Sequence, residues 1–195
     1  MGRARALPAA AALGVLAVGT VLLVVALTRG GDGISRGGPL ACQDCNTDVS
    51  MPLDVGALGT FGAANLENHA RVPAVLERVS HLNRMPGLLL LGPLAAQNSG
   101  VGLIREFPPH DLKGKLHNLP GYRVPPYHGP ADDVDILVGV SPLREGSLSY
   151  SGLEVYYRVG RRHYVTTFDF GVRVCAPGSV PQDLCEPPPS IRELP

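Results

Sequence analysis

Tryptophan is absent from this 195-residue chain, aromatic residues make up only 5 % of it, and lysine occurs only at Lys113 and Lys115. Charged residues amount to 17 % and balance to a formal net charge of zero. Without a basic excess there is no electrostatic footprint for nucleic acid, and no basic stripe for anionic lipid beyond the arginines flanking the N-terminal apolar run. Nucleotide-binding glycine patterns are missing, as is the G-x-S-x-G turn of many hydrolases. Ser99 sits in the turn-prone Asn98-Ser99-Gly100, and Asp132-Asp133, adjacent in sequence, project in different directions and make no acid/base pair. The sequence therefore assigns no catalytic residue and no cofactor, and it points away from an enzyme.

One long hydrophobic run is present. Residues 7–28 (LPAAAALGVLAVGTVLLVVALT) carry no charge, with Arg3 and Arg5 before them and Arg29 after. As a helix this run extends about 33 Å, slightly more than the ~30 Å hydrocarbon core of a bilayer. A cleaved signal peptide would have a shorter apolar core and a small-x-small site, neither of which is found here. A buried helix would need a larger protein around it. The reading is a single-pass signal-anchor that contacts the lipid bilayer through residues 7–28. The arginines and the terminal amine place residues 1–6 in the cytoplasm and the remainder outside the cytoplasm, at the cell membrane.

The four cysteines are Cys42, Cys45, Cys175 and Cys185. An even count outside the cytoplasm reads as two disulfides, here Cys42–Cys45 and Cys175–Cys185. The rival pairing ties the two ends of the domain together, closes a far longer loop, and would stabilise by ~4–5 kcal/mol in the chain-entropy model. Cys42-Gln43-Asp44-Cys45 is also a C-x-x-C, so a thiol-redox or metal-handling protein of the cell envelope is the alternative function, drawing on loop histidines His110, His117 and His128 with His163. None of these histidines shows a metal-ligand spacing.

The 24 glycines and 19 prolines punctuate short apolar runs, as in β-rich chains. Residues 29–52 read as a flexible linker carrying the C-x-x-C, 53–185 as the folded domain, and 186–195, with Pro187-Pro188-Pro189, as a solvated tail. Strands are expected over residues 56–66, 87–94 and 101–107. In residues 72–82 the apolar spacing fits a helix, but the surroundings favour a strand with a bulge between Leu76 and Val79. Residues 108–130 form a long loop, of the kind that carries function. In 133–140, Val134, Ile136, Val138 and Val140 alternate with Asp135, Leu137 and Gly139. Residues 152–159 and 164–175 alternate likewise on either side of Gly160-Arg161-Arg162, the pattern of a hairpin with one buried face.

About seven such strands imply an antiparallel β-sandwich. The overall pattern resembles the immunoglobulin-like modules found outside bacterial membranes. Asp169-x-Gly171-x-Arg173-x-Cys175 is similar to that family's D-x-G-x-Y-x-C, with Arg173 where the tyrosine stands and no core tryptophan. The expectation is a mainly β, immunoglobulin-like sandwich behind one transmembrane helix. Its role is non-catalytic binding or structure, with a protein partner in the cell envelope. The contact residues would come from Tyr122, Tyr127, His128, Tyr156 and Tyr157, aromatic and imidazole groups of the kind enriched at interfaces.

Overall fold

The structure is a computed structural model that describes residues 34–43, 45, 47–100, 102–179, 181 and 185. The apolar run 7–28 lies outside the described residues. Among the described residues, no helix is long and apolar enough to cross a membrane. Within them the chain is mainly β. The strands are β1 (Ser35–Arg36), β2 (Leu40–Cys42), β3 (Asp48–Pro52), β4 (Gly59–Asn68), β5 (Ala74–Leu82), β6 (Leu88–Gln97), β7 (Leu103–Ile104), β8 (His117–Asn118), β9 (Arg123–Val124), β10 (Val134–Pro142), β11 (Gly146–Tyr150), β12 (Gly152–Val159), β13 (Arg162–Phe168) and β14 (Gly171–Ala176). They form a five-stranded sheet β1-β13-β12-β5-β9, a six-stranded sheet β2-β4-β10-β6-β8 with β7 added to β4, and a three-stranded sheet β11-β14-β3. Most pairings are antiparallel; β1 on β13 and β3 on β14 are parallel. One core joins all three sheets, with Phe61 and Ile136 from the second meeting Leu76, Val155 and Tyr157 from the first and Leu148 and Val172 from the third.

The hairpin forms where alternation places it. Val159 faces Arg162 across Gly160-Arg161, and the ladder runs back to Leu153 opposite Phe168. Gly160 takes φ +60°, the left-handed geometry that such a short turn needs. Val155 and Tyr157 are buried while Arg158 is exposed. The second arm is shorter than its alternation suggests. β13 stops at Phe168 and the chain re-enters as β14 in another sheet, although Phe168, Phe170, Val172 and Val174 keep one buried face throughout. A strand can change sheets at a bend without changing which side chains point inward.

Within residues 72–82, Ala74–Leu82 form β5 and carry the bulge. Tyr156 faces Arg78 and Tyr157 faces Leu76, leaving Glu77 as the extra residue. Two expectations need correction. Segment 29–52 is not a linker throughout, because β1, β2 and β3 lie within it and Met51 is buried. These strands pair with partners far along the chain, so local glycine content does not reveal them. In β10 the alternation is also incomplete, since every residue from Val134 to Pro142 is buried. Segment 108–130 explains part of this: Leu112 covers Leu137 and Ala96, with Leu94 and Leu116 packed around them. Phe107 lies so close over Gly139 that a Cβ there would meet its ring at 2.6 Å.

Residues 35–42 cross from the first sheet to the second as a strap, pinned by Tyr157. The Tyr157 hydroxyl donates to the Gly37 carbonyl at 3.2 Å and accepts from the Leu40 N–H at 3.2 Å. Gly38 must be glycine, because its φ is +121° and a Cβ would run into that hydroxyl and the Tyr164 ring. Tyr157→Phe is expected to lower unfolding free energy by about 1–2 kcal/mol, mainly by leaving the buried Leu40 N–H unpaired. Denaturant titration checks the size, and faster hydrogen exchange at Leu40 checks the cause. An unchanged Leu40 amide would refute the pin.

Candidate functional site

The local bulge and a proline shape an opening between two sheets. β5 and β6 follow each other in sequence yet belong to different sheets. β9 covers the outer side of β5 only at Ala74 and Val75, and β8 covers that of β6 only at Leu94 and Ala95. The outer edges of 77–82 and 88–93 therefore have no strand partner among the described residues. Between them lies a groove of about 530 Å³, with Glu77 to Val79 on one wall and Gly92 to Leu94 on the other. Asn118 to Pro120, from the long loop, close one end.

The β6 edge has a defined polarity. Leu143 N–H donates to the Gly87 carbonyl at 2.8 Å, which sets Gly87 and Leu143 as a directly bonded pair. Bonded and non-bonded pairs alternate along an antiparallel ladder, so Leu88 and Leu90 turn their backbone groups away from β10. Leu88 N–H folds back to the Met85 carbonyl at 3.3 Å. The Leu90 N–H and carbonyl thus face the open edge. Leu89 beside them is 40 % exposed. Pro93 has no N–H to offer, and the bulge at Glu77 breaks the facing edge; both are devices that restrict open pairing of strand edges.

The five candidate contact residues do not gather at this groove. Tyr122 stands behind it, its carbonyl accepting from Leu76 N–H at 2.9 Å and its ring tilted against His117 at 5.3 Å. Tyr156 lies on the outward face of β12, with Arg78 3.9 Å above its ring and its hydroxyl donating to Glu154 at 2.9 Å. Tyr127 and His128 sit at a separate acidic corner. There His69 pairs with Glu67 at 3.1 Å and meets the Tyr127 ring edge-on, while His128 N–H donates to Asp132 at 3.0 Å. Burial raises the Asp133 carboxyl above the ordinary range, with Glu67, Asp135 and Asp132 adding to it and Asn65 opposing. Tyr157 is fully buried, so it is the pin of the strap and not a contact residue.

Several other polar residues hold turns and strand pairs together. The histidines are dispersed: His110 binds Glu106 at 2.7 Å and His163 binds Glu77 at 3.2 Å. Glu106, its pKa lowered first by the His110 backbone N–H and then by the His110 ring, closes the turn at His110–Leu112. Among the described residues no group of three or more His, Cys, Asp or Glu side chains is arranged to hold a metal. Asp135 caps the turn at 98–100, accepting from Ser99 N–H at 2.7 Å and Ser99 Oγ at 2.5 Å. Both expected disulfides are present, Cys42–Cys45 and Cys175–Cys185, with Cα separations of 5.5 and 5.9 Å.

Sequence reasoning missed the groove because no residue in it announces chemistry. The only local signal was apolar Leu88-Leu89-Leu90-Leu91 followed by Gly92-Pro93, an odd composition for a strand buried on both edges. A scan against models of known protein families gives no match to this chain, and neither does a search of curated proteins.

Proposed function

We propose that this chain is a single-pass membrane protein, anchored by residues 7–28 with residues 1–6 in the cytoplasm. Its extracytoplasmic domain is an immunoglobulin-like β-sandwich that binds without catalysis. The occupant of its groove is an extended, uncharged segment of a partner protein that adds as a strand to β6. The observation that supports this reading is the open β6 edge, where Leu90 presents an N–H and a carbonyl beside exposed Leu89. Alternating backbone donors and acceptors are matched along their length by another backbone, and the flanking leucines favour apolar side chains. The disulfide-bonded cysteines suit an oxidising space outside the cytoplasm.

The test uses the full chain in intact cells. A Cβ added at Gly92 has nothing within 4 Å, so a photoreactive side chain fits there without disturbing the fold. Irradiation is expected to give one protein adduct in the membrane fraction from Gly92, and none from the exposed Thr167 on β13. A peptide taken from the crosslinked segment should bind the purified protein, and Leu90→Pro, which removes the edge N–H, should weaken that binding about tenfold. Equal adducts at both positions, or binding indifferent to Leu90→Pro, would overturn strand addition. Release of the chain from membranes by alkaline carbonate would overturn the anchor separately.

A further inference from the structure

The fold gathers positive charge that the sequence scatters. β1 runs parallel to β13, with Ser35 opposite Tyr164 and Arg36 opposite Val165. The first described residue, Ile34, therefore emerges beside the β12–β13 turn and not at the far end of that sheet. At this end Arg36, Arg158, Arg161 and Arg162 are all exposed. Arg158 shares Glu77 with His163, at 3.8 Å and 3.2 Å. Arg161 and Arg162 have no acidic partner within ion-pair distance among the described residues. A chain with zero net charge thus carries an unbalanced basic cluster where its folded domain begins.

We propose that this hairpin end is a membrane-contact surface that takes the phosphate headgroups of anionic phospholipids. The proposal rests on the reading of residues 7–28 as a membrane anchor. Only residues 29–33 separate that run from Ile34, a length of chain that reaches about 20 Å at most. That tether lets the hairpin end come within one Debye length of the bilayer, about 8 Å at physiological salt, the range over which its charge acts. Guanidinium groups bind phosphate oxygens through paired N–H donors, so arginine suits the role better than lysine. The β6 edge of the groove stays open to the protein partner, and the two surfaces adjoin at Glu77, which lines the groove and pairs with Arg158 and His163.

The experiment places the full chain in vesicles of phosphatidylcholine alone, or of phosphatidylcholine with phosphatidylglycerol, and follows hydrogen exchange at residues 158–163. Retention under alkaline carbonate is scored first, because it reports the anchor alone. Exchange at the hairpin end is expected to slow in the anionic vesicles and recover in high salt, with β8 unaffected. Each arginine at an anionic surface is worth about fivefold in binding, so R161S/R162S should lose about 25-fold. R161K/R162K should retain much of the effect and shows that the turn still folds. A retained chain whose hairpin end exchanges equally in both vesicles overturns the contact and leaves the anchor standing. Equal slowing by inorganic phosphate without anionic lipid overturns the lipid surface in favour of a free-phosphate site. A chain that carbonate releases overturns the anchor and with it the contact.

Discussion

Leu137→Lys is expected to abolish the stable fold, and Leu137→Ala to lower unfolding free energy by about 2–4 kcal/mol. Leu137 lies on the face of β10 that alternation assigns to solvent, yet it is fully buried against Ala96 and Leu112. The lysine would bring a charge among Leu94, Ala96, Leu112 and Leu116, all apolar, so the loop must lift or the strand must dissociate. The alanine would leave a void, since Leu112 sits on a short turn held by Glu106 and cannot follow the shrinking side chain freely. Chemical denaturation measures the alanine variant. Limited proteolysis between His110 and Leu119 distinguishes a lifted loop from global unfolding. If both variants unfold within about 0.5 kcal/mol of the parent, as surface substitutions do, the outer face of β10 is solvated and the loop is no lid.

Acid is expected to remove about 2–3 kcal/mol of stability as pH falls from about 6.5 to about 4, and His81→Phe is expected to abolish that loss. His81 stands on β5 with its ring edge-on to Tyr150 at 4.9 Å, and its Nε2 is buried without a partner among the described residues. Burial, helped by the charge of Arg84, lowers its pKa from 6.5 to about 4. The unfolded chain therefore takes up a proton between these two values that the folded chain refuses. Stability is complete above the unfolded value, declines through the window, and is fully reduced below the folded one. Asp133 acts with the opposite sign: its raised carboxyl binds a proton sooner in the folded state, which favours folding as pH drops into the carboxylate range. For that reason the quantity to measure is the difference in unfolding free energy between parent and His81→Phe. Phenylalanine keeps the ring against Tyr150 and removes only the titration. A difference that stays flat from pH 7 to pH 4.5 would refute the argument.

Several elements were legible because their determinants are local. In the β12–β13 hairpin, polar and apolar residues alternate on both arms and Gly160 supplies the turn, so propensity, pattern and turn chemistry agree. The bulge in β5 was legible for a related reason: Leu76 and Val79 are both apolar, three residues apart, and a regular strand would place them on opposite faces. The Cys175–Cys185 bridge needs only a short loop to close. The strands at Ser35–Arg36 and Leu40–Cys42 were not legible, since each is short, glycine-flanked and stable only against β13 or β4. Nor did the five interface candidates, chosen by residue type, predict the groove, whose character lies in unpaired backbone.

What the sequence by itself determined is the β character of the chain, the inward face of its C-terminal strands and the two local disulfides, all products of period-two alternation and short-range spacing. Tertiary structure alone decided that β5 and β6 part into different sheets, that a loop buries the second face of β10, and that Arg36 joins Arg158, Arg161 and Arg162 at one end. The physical reason is common to all three. Burial, edge pairing and clustering of charge depend on which distant segments become neighbours, and a residue's own type and immediate surroundings carry almost none of that information.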